Sequence, residues 1–220
     1  MQKNLVLNDY LKLFISMKEQ AIFSSHYFPC IAYFKALTNH PTIHIDLGEY
    51  FIKQSYRNRT VIYTSNGSLA LSIPVIKKNK TAVKDVLLDE QNDWRTTHWK
   101  AIKSAYNSSP FFEFYETELK QVFFKEHLKL SELNNSLLVH ICNEIGLCLD
   151  LTYSNKYIES TEGNKDYRTI IDPKKTIDEV VNYPRYIQIF EEKHGYQKNL
   201  SILDLLFHEG PETLNYIKAL

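Results

Sequence analysis

Arginine, glycine and cysteine are scarce in this chain of 220 residues, and its formal net charge is zero. Each shortage excludes something. A neutral chain lacks the basic footprint of non-specific nucleic-acid binding. Six glycines, none gathered into a glycine-rich loop, leave no dinucleotide or P-loop fingerprint. The three cysteines (Cys30, Cys142 and Cys148) are odd in number and form no CxxC pair, which fits a reducing cytoplasm better than a disulfide scaffold. No apolar run reaches the length of a membrane span. Near the start, Asn8, Asp9 and Lys12 interrupt the apolar residues before a signal-peptide core can form. HExxH, a Cys/His tetrad and a nucleophile elbow are all missing, so no metal is expected, covalent catalysis has no motif behind it and no cofactor can be assigned.

The composition itself is globular, 44% hydrophobic, with 15 Tyr and 12 Phe. Tyrosine joins an apolar ring to a polar tip, which suits carbohydrate or nucleotide pockets as well as plain cores. The length allows one sizeable core. The expected organisation is a single domain over 17–220, with 1–16 as an N-terminal extension and Met17 as an alternative start.

Residues 50–74 carry most of the functional information. Two strands are expected there, joined at Asn66-Gly67, a dipeptide in which both residues tolerate positive φ. Leu69, Leu71 and Ile73 alternate with Ala70 and Ser72 until Pro74 ends the strand. The first strand is polar where a core strand is apolar: Lys53, Gln54, Ser55, Tyr56, Arg57, Asn58 and Arg59. Two of the chain's five arginines lie here, and strand spacing places Arg57 and Arg59 on one face with Lys53 and Ser55. Two guanidinium forks suit a phosphate or carboxylate. A solvated outer face, or arginines paired with acidic neighbours, explains the same pattern.

Further strands are expected near 21–25, 43–47 and 83–88, with a short one over 149–153. Pro29 introduces a helix over 30–37, so Ser24, Ser25, His26 and Tyr27 occupy a strand-to-helix turn. His44 and Asp46 share a strand face near His40 without a metal motif. Asp93 caps a helix from Trp94 to Tyr106, with His98 on its inward stripe beside Trp94. His98 is either a hydrogen-bonded core histidine or an acid–base group facing a cleft. Helices are then expected over 111–125, with Phe114 among its inward residues, from Ser131 to Gly146, from Pro184 to Gly195, from Ile202 to His208 after Ser201, and from Gly210-Pro211 to Leu220. Asp204 reads as a cap and 159–165 as a polar connection. The fold class is α/β: a small mixed sheet with flanking helices and a mostly helical C-terminal half.

Five blocks in order, HYFPCIAYF (26–34), IKQSYRNRTVI (52–62), LALSIPV (69–75), WRTTHWKAIKSAYNSSPFF (94–112) and YIQIFEEKHGYQKNLSILDLLFHEGP (186–211), resemble the WbqC-like family, especially its Bacteroides-type members. Tyr27-Phe28-Pro29, Asn58-Arg59, Trp94 and His98 match it, whereas Ser24, Ser25 and His26 stand where many relatives carry a Gln-Pro-Asn-like run. The resemblance implies work on sugars of surface polysaccharides of O-antigen type: a cytoplasmic enzyme that modifies a nucleotide-activated or amino sugar by group transfer. In that scheme His98 is the acid–base group. Lys53, Arg57 and Arg59 hold an anion, and Tyr27, Tyr56, His26 and Asn58 line the substrate pocket. A nucleotidyltransferase-like enzyme and a non-catalytic partner of a glycan assembly complex are the alternatives.

Thiol titration of the denatured, unreduced protein is expected to count three free thiols. A count of one would show a disulfide and overturn the reading of a reducing compartment.

Overall fold

The structure is a computed structural model that describes residues 20–161, 163–175 and 183–220. The expected extension over 1–16 and the alternative start at Met17 lie outside the described residues. Four parallel strands form the main sheet: β1 (Gln20–Phe23), β2 (Thr42–Asp46), β7 (Asp150–Ser154) and β8 (Asn164–Asp166). Their order across the sheet is β7-β2-β1-β8. Numbered by chain order within this sheet alone, that is 3-2-1-4, so the direction of strand addition reverses at β1. Helix α1 (Ile31–Thr38) makes the crossover from β1 to β2. Ala21, Ile22 and Phe23 of β1 are all fully buried, as expected of a central parallel strand covered on both faces.

Two small antiparallel sheets complete the strands. One is the hairpin β3 (Arg59–Thr64) with β4 (Gly67–Ser72), in which Thr60 faces Leu71 and Ile62 faces Leu69. The other pairs β5 (Val75–Ile76) with β6 (Leu87–Leu88). The expected polar strand over 51–58 is a series of turns, and strand geometry begins only at Arg59. At the hairpin Ser65 and Asn66 form the turn at negative φ, and Gly67 alone takes a left-handed φ of 95°. The strand expected at 83–88 is a 3-10 turn, Val83–Asp85, leading into the two residues of β6.

The helices α2 (Trp94–Tyr106), α3 (Phe112–Phe124) and α4 (Leu130–Glu144) come after β6. Asp93 caps α2 as its sequence suggests, its Oδ1 accepting from the Thr96 N–H at 3.2 Å. Phe112, Leu119 and Phe123 of α3 are buried with Leu133, Leu137 and Ile141 of α4. Phe114, expected to point inward, is 71% exposed, because the buried stripe of α3 runs through Phe112, Tyr115, Leu119 and Phe123.

In the C-terminal part, the helix expected from Pro184 shrinks to α5 (Glu191–His194), closed by Gly195 at φ 76°, and Ile187 is 83% exposed. Then come α6 (Ile202–Glu209) and α7 (Thr213–Ala219). Ser201 caps α6, accepting from the Leu203 N–H. Asp204 does not cap it. Its carboxylate is buried and accepts from the Tyr186 hydroxyl at 2.5 Å and from Gln188 Nε2 at 3.0 Å, which ties the extended 186–189 segment to α6. Phe207 of α6 meets Phe112 edge-on at 5.0 Å and Tyr106 at 5.2 Å, so α2, α3 and α6 share one aromatic centre. All three cysteines are free thiols, and no described helix is long and apolar enough to cross a membrane.

Gly48, just beyond β2, is packed against the backbone beyond β7: a Cβ there would stand 2.2 Å from Lys156 C and Tyr157 N. Gly48→Ala is expected to cost roughly 1–3 kcal/mol in urea unfolding, the scale of overpacking. Gly163→Ala, with open space around it, should cost little. Equal losses would contradict this packing.

Candidate functional site

The parallel strands end at one edge of the sheet, and the residues just beyond their carboxyl ends build two buried ion-pair clusters. Arg57 is 2% exposed. Its Nε donates to Glu49 Oε1 at 2.9 Å, and its Nη2 donates to Glu49 Oε2 at 2.5 Å and to Ser24 Oγ at 2.9 Å. Ser24 lies just past β1 and Glu49 just past β2, so one guanidinium joins the exits of both central strands. Asn134 of α4 donates to the Arg57 carbonyl at 2.8 Å. Burial pushes the Glu49 carboxyl above its ordinary range, and the Arg57 guanidinium opposes that rise.

The second cluster lies on Arg168, after β8. It bonds the Asp46 carboxylate at the end of β2 and both oxygens of Asp166, and its guanidinium lies 4.5 Å from the Tyr157 ring centre. Asp46 Oδ1 also accepts from the N–H groups of Gly48 and Glu49, which shapes the turn that carries Glu49. Burial raises the Asp166 pKa, but bonds to Arg168 outweigh it and the carboxyl falls below its usual range.

Residues 51–59 have two sides. Lys53, Gln54, Asn58 and Arg59 line an open groove of about 430 Å³, together with Phe51, Ser72, Lys77 and Asn79. Among the residues lining it are three cations, Lys53, Arg59 and Lys77, and no carboxylate. Arg59 Nε donates to Ser72 Oγ at 3.2 Å, and Lys77 Nζ lies 5.5 Å from the Phe51 ring centre. Ser55, Tyr56 and Arg57 turn the other way and are buried. Arg57 and Arg59 therefore do not share a face: Arg57 lies in a turn, where period-2 alternation does not hold.

The turn after β1 presents His26, which is 3% exposed, with Tyr33 at 4.8 Å and Tyr56 at 5.6 Å between ring centres. Neither ring nitrogen of His26 has a hydrogen-bond partner among the described residues. Burial, then the nearby Arg57 charge, hold its pKa well below the ordinary value, so the ring is neutral. Phe28 in the same turn takes a φ of 39°, an uncommon conformation for a bulky residue. The start of α1 is no anion site: the Ile31 N–H donates to the Leu200 carbonyl and the Ala32 N–H to Asn199 Oδ1.

His98 is buried beside Trp94, and its Nδ1 lies 3.0 Å from the Tyr27 hydroxyl. Burial lowers its pKa to about 4, against a weaker upward pull from a bond to the Ser72 backbone. The network fits a neutral ring that accepts from Tyr27 and donates to Ser72. The structure thus gathers the expected residues into three groups: Lys53, Asn58 and Arg59 in the groove; His26, Tyr56 and Arg57 under the same segment; Tyr27 with His98 on α2. His98, Tyr27 and Arg57 do not line the groove. His40 contacts the Tyr167 hydroxyl and His44 contacts Thr152 Oγ1, and the described residues hold no group of three metal-ligating side chains. Sequence reasoning missed Glu49, Ser24, Asp46 and Arg168 as partners, because their pairing depends on strand ends far apart in the chain.

A histidine that titrates near 6.5 when unfolded and near 4 when folded destabilises the fold in acid. Between those values the unfolded chain binds the extra proton, so stability falls as pH drops below 6.5 and levels off below about 4. Between pH 7 and pH 5 the native protein is expected to lose about 2 kcal/mol more than His98→Gln, read from urea midpoints. Parallel pH profiles would contradict a neutral, buried His98.

The WbqC-like protein family model matches residues 24–179, a stretch that includes the groove and both ion-pair clusters. The chain is also 29% identical over 231 aligned positions to the uncharacterised protein Rv1507c of Mycobacterium tuberculosis, across 92% of this chain and 98% of that one. No solved structure matches. With the family match covering most of the chain and a relative aligned almost end to end, the chain belongs to the WbqC-like protein family.

Proposed function

We propose that this protein is a cytoplasmic enzyme of surface-polysaccharide biosynthesis of O-antigen type, one that modifies a nucleotide-activated or amino sugar by group transfer. The groove lined by Lys53, Asn58, Arg59 and Lys77 holds the phosphate or carboxylate of that substrate. The observation that carries this is the charge of the groove: its lining residues include three cations, three amides and no carboxylate to neutralise the cations. A guanidinium anchored at one nitrogen keeps its other donors for an incoming oxyanion. The volume suits a small molecule. In this scheme Arg57 serves as a strut, and His98, away from the groove, holds Tyr27 in place. The sugar class comes from the family resemblance. A cationic groove favours a small anionic substrate over the docking of a protein scaffold.

Nucleotidyl transfer is a second reading, supported by the 3-2-1-4 strand order. It requires a sugar phosphate to attack the α-phosphorus of a nucleoside triphosphate and release pyrophosphate, so a pyrophosphate-release assay separates the two.

A thermal-shift screen with nucleotide sugars, acyl donors and nucleotides is expected to find an anionic ligand that raises the melting temperature. Arg59→Ala should keep the fold and weaken that ligand by roughly 1.5–3 kcal/mol. Arg59→Lys should restore only part, because the planar fork is lost. Unchanged affinity in Arg59→Ala, or a loss of stability with no binding defect, would overturn the assignment.

A further inference from the structure

We propose a second binding site, at the carboxyl end of β1 beneath residues 52–58, where the imidazole of His26 receives a neutral hydroxyl group of a sugar ring. Two independent observations meet there. The sheet reverses its strand order at β1, and in open parallel sheets ligands bind beyond the carboxyl ends of the strands at such a reversal. The residue that this turn presents is a buried histidine with both ring nitrogens unpartnered among the described residues. Buried polar groups almost always find partners, so a buried ring lacking both marks an unfilled role.

The chemistry of the ligand is set by the ring. Neutral imidazole offers one N–H donor and one acceptor nitrogen. A hydroxyl group both donates and accepts, and two neighbouring hydroxyls of a sugar answer both nitrogens. Among the described residues the cation beside this ring, the Arg57 guanidinium, is already bonded to Glu49 and Ser24, so an oxyanion has no free partner there. The rings of Tyr33 and Tyr56 supply apolar surface for the face of a sugar.

The site is covered in this structure. The Tyr56 carbonyl accepts from the Tyr27 N–H at 2.9 Å, and the Tyr56 ring lies against His26. Opening requires residues 52–56 to swing away from His26 while the Glu49–Arg57 pair beside them stays formed. Gln54 within them has a φ of 57°. The Glu49–Arg57 pair lies at one end of this segment, and the groove lies on its opposite side. The inference does not depend on the groove binding an anion.

The test uses the whole protein and three probes: N-acetylglucosamine, glucose and UDP-N-acetylglucosamine, with UDP as control. Imidazole nitrogen signals of His26, assigned by their loss in His26→Phe, are followed during titration. At least one sugar-bearing probe should move them, and UDP should not. His26→Phe removes an unsatisfied polar ring while keeping an aromatic shape, so it should melt at or above the native temperature. Its affinity for the active probe should fall by at least about tenfold, whereas UDP affinity stays unchanged. His26→Gln keeps a donor and an acceptor, and should retain part of the binding. If no probe moves the His26 signals, the proposal fails. It also fails if His26→Phe melts several degrees lower with sugar binding intact, which would mean that the ring is structural and satisfied by buried water. If the native protein does not bind UDP at all, that counts against the groove and leaves this site standing, whereas a His26→Phe variant that loses UDP and keeps the sugar overturns this site.

Discussion

The bond on which the arrangement depends is the buried pair between Arg57 and Glu49, with Ser24 as its third member. It fastens the exits of β1 and β2 to residues 51–59, and that segment has different chemistry on its two sides. Outward lie Lys53, Asn58 and Arg59; inward lie Ser55 and Tyr56. A buried ion pair gains little net stability over an apolar pair, because both charges must leave water. Its value here is geometric. A bidentate fork fixes direction as well as distance, so the segment is held in one register against the sheet.

The second pair, Arg168 with Asp46 and Asp166, does the same for the outer part of that edge. Asp46 is shared between the two systems: one oxygen holds the Gly48 and Glu49 N–H groups, and the other bonds Arg168. The carboxyl edge of the sheet is therefore organised by charge, and the helical half behind it by aromatic packing around Phe207. The groove is lined on one side by the segment that this edge anchors, through Lys53, Gln54, Asn58 and Arg59.

Parts of this were legible in the sequence because their signals are local. Asp93 before Trp94, the apolar run 21–23, Pro29 before α1, and Gly67 at the hairpin each act within a few residues. The groove cations Lys53 and Arg59 were legible for the same reason. Other parts depend on tertiary contacts. Asn164–Asp166 is a polar three-residue edge strand that carries no alternation to find. Arg57 looked like a companion of Arg59 because strand period was assumed across residues that form turns. Asp204 looked like a helix cap because it stands three residues after Ser201, yet its partners are Tyr186 and Gln188. Phe114 satisfies helical spacing, but the face it occupies has no neighbouring element to cover it among the described residues.

The central claim is that Arg57 and Glu49 act as one unit that anchors residues 51–59 to the ends of β1 and β2. A double-mutant cycle with Arg57→Met, Glu49→Leu and the pair, read by urea unfolding, measures this most directly. The account predicts that each single change costs about 3–5 kcal/mol, because it strands a buried charge. The double change should cost far less than the sum, because no charge is left unpaired. Losses that add to within about 0.5 kcal/mol would show two independent side chains and contradict the account.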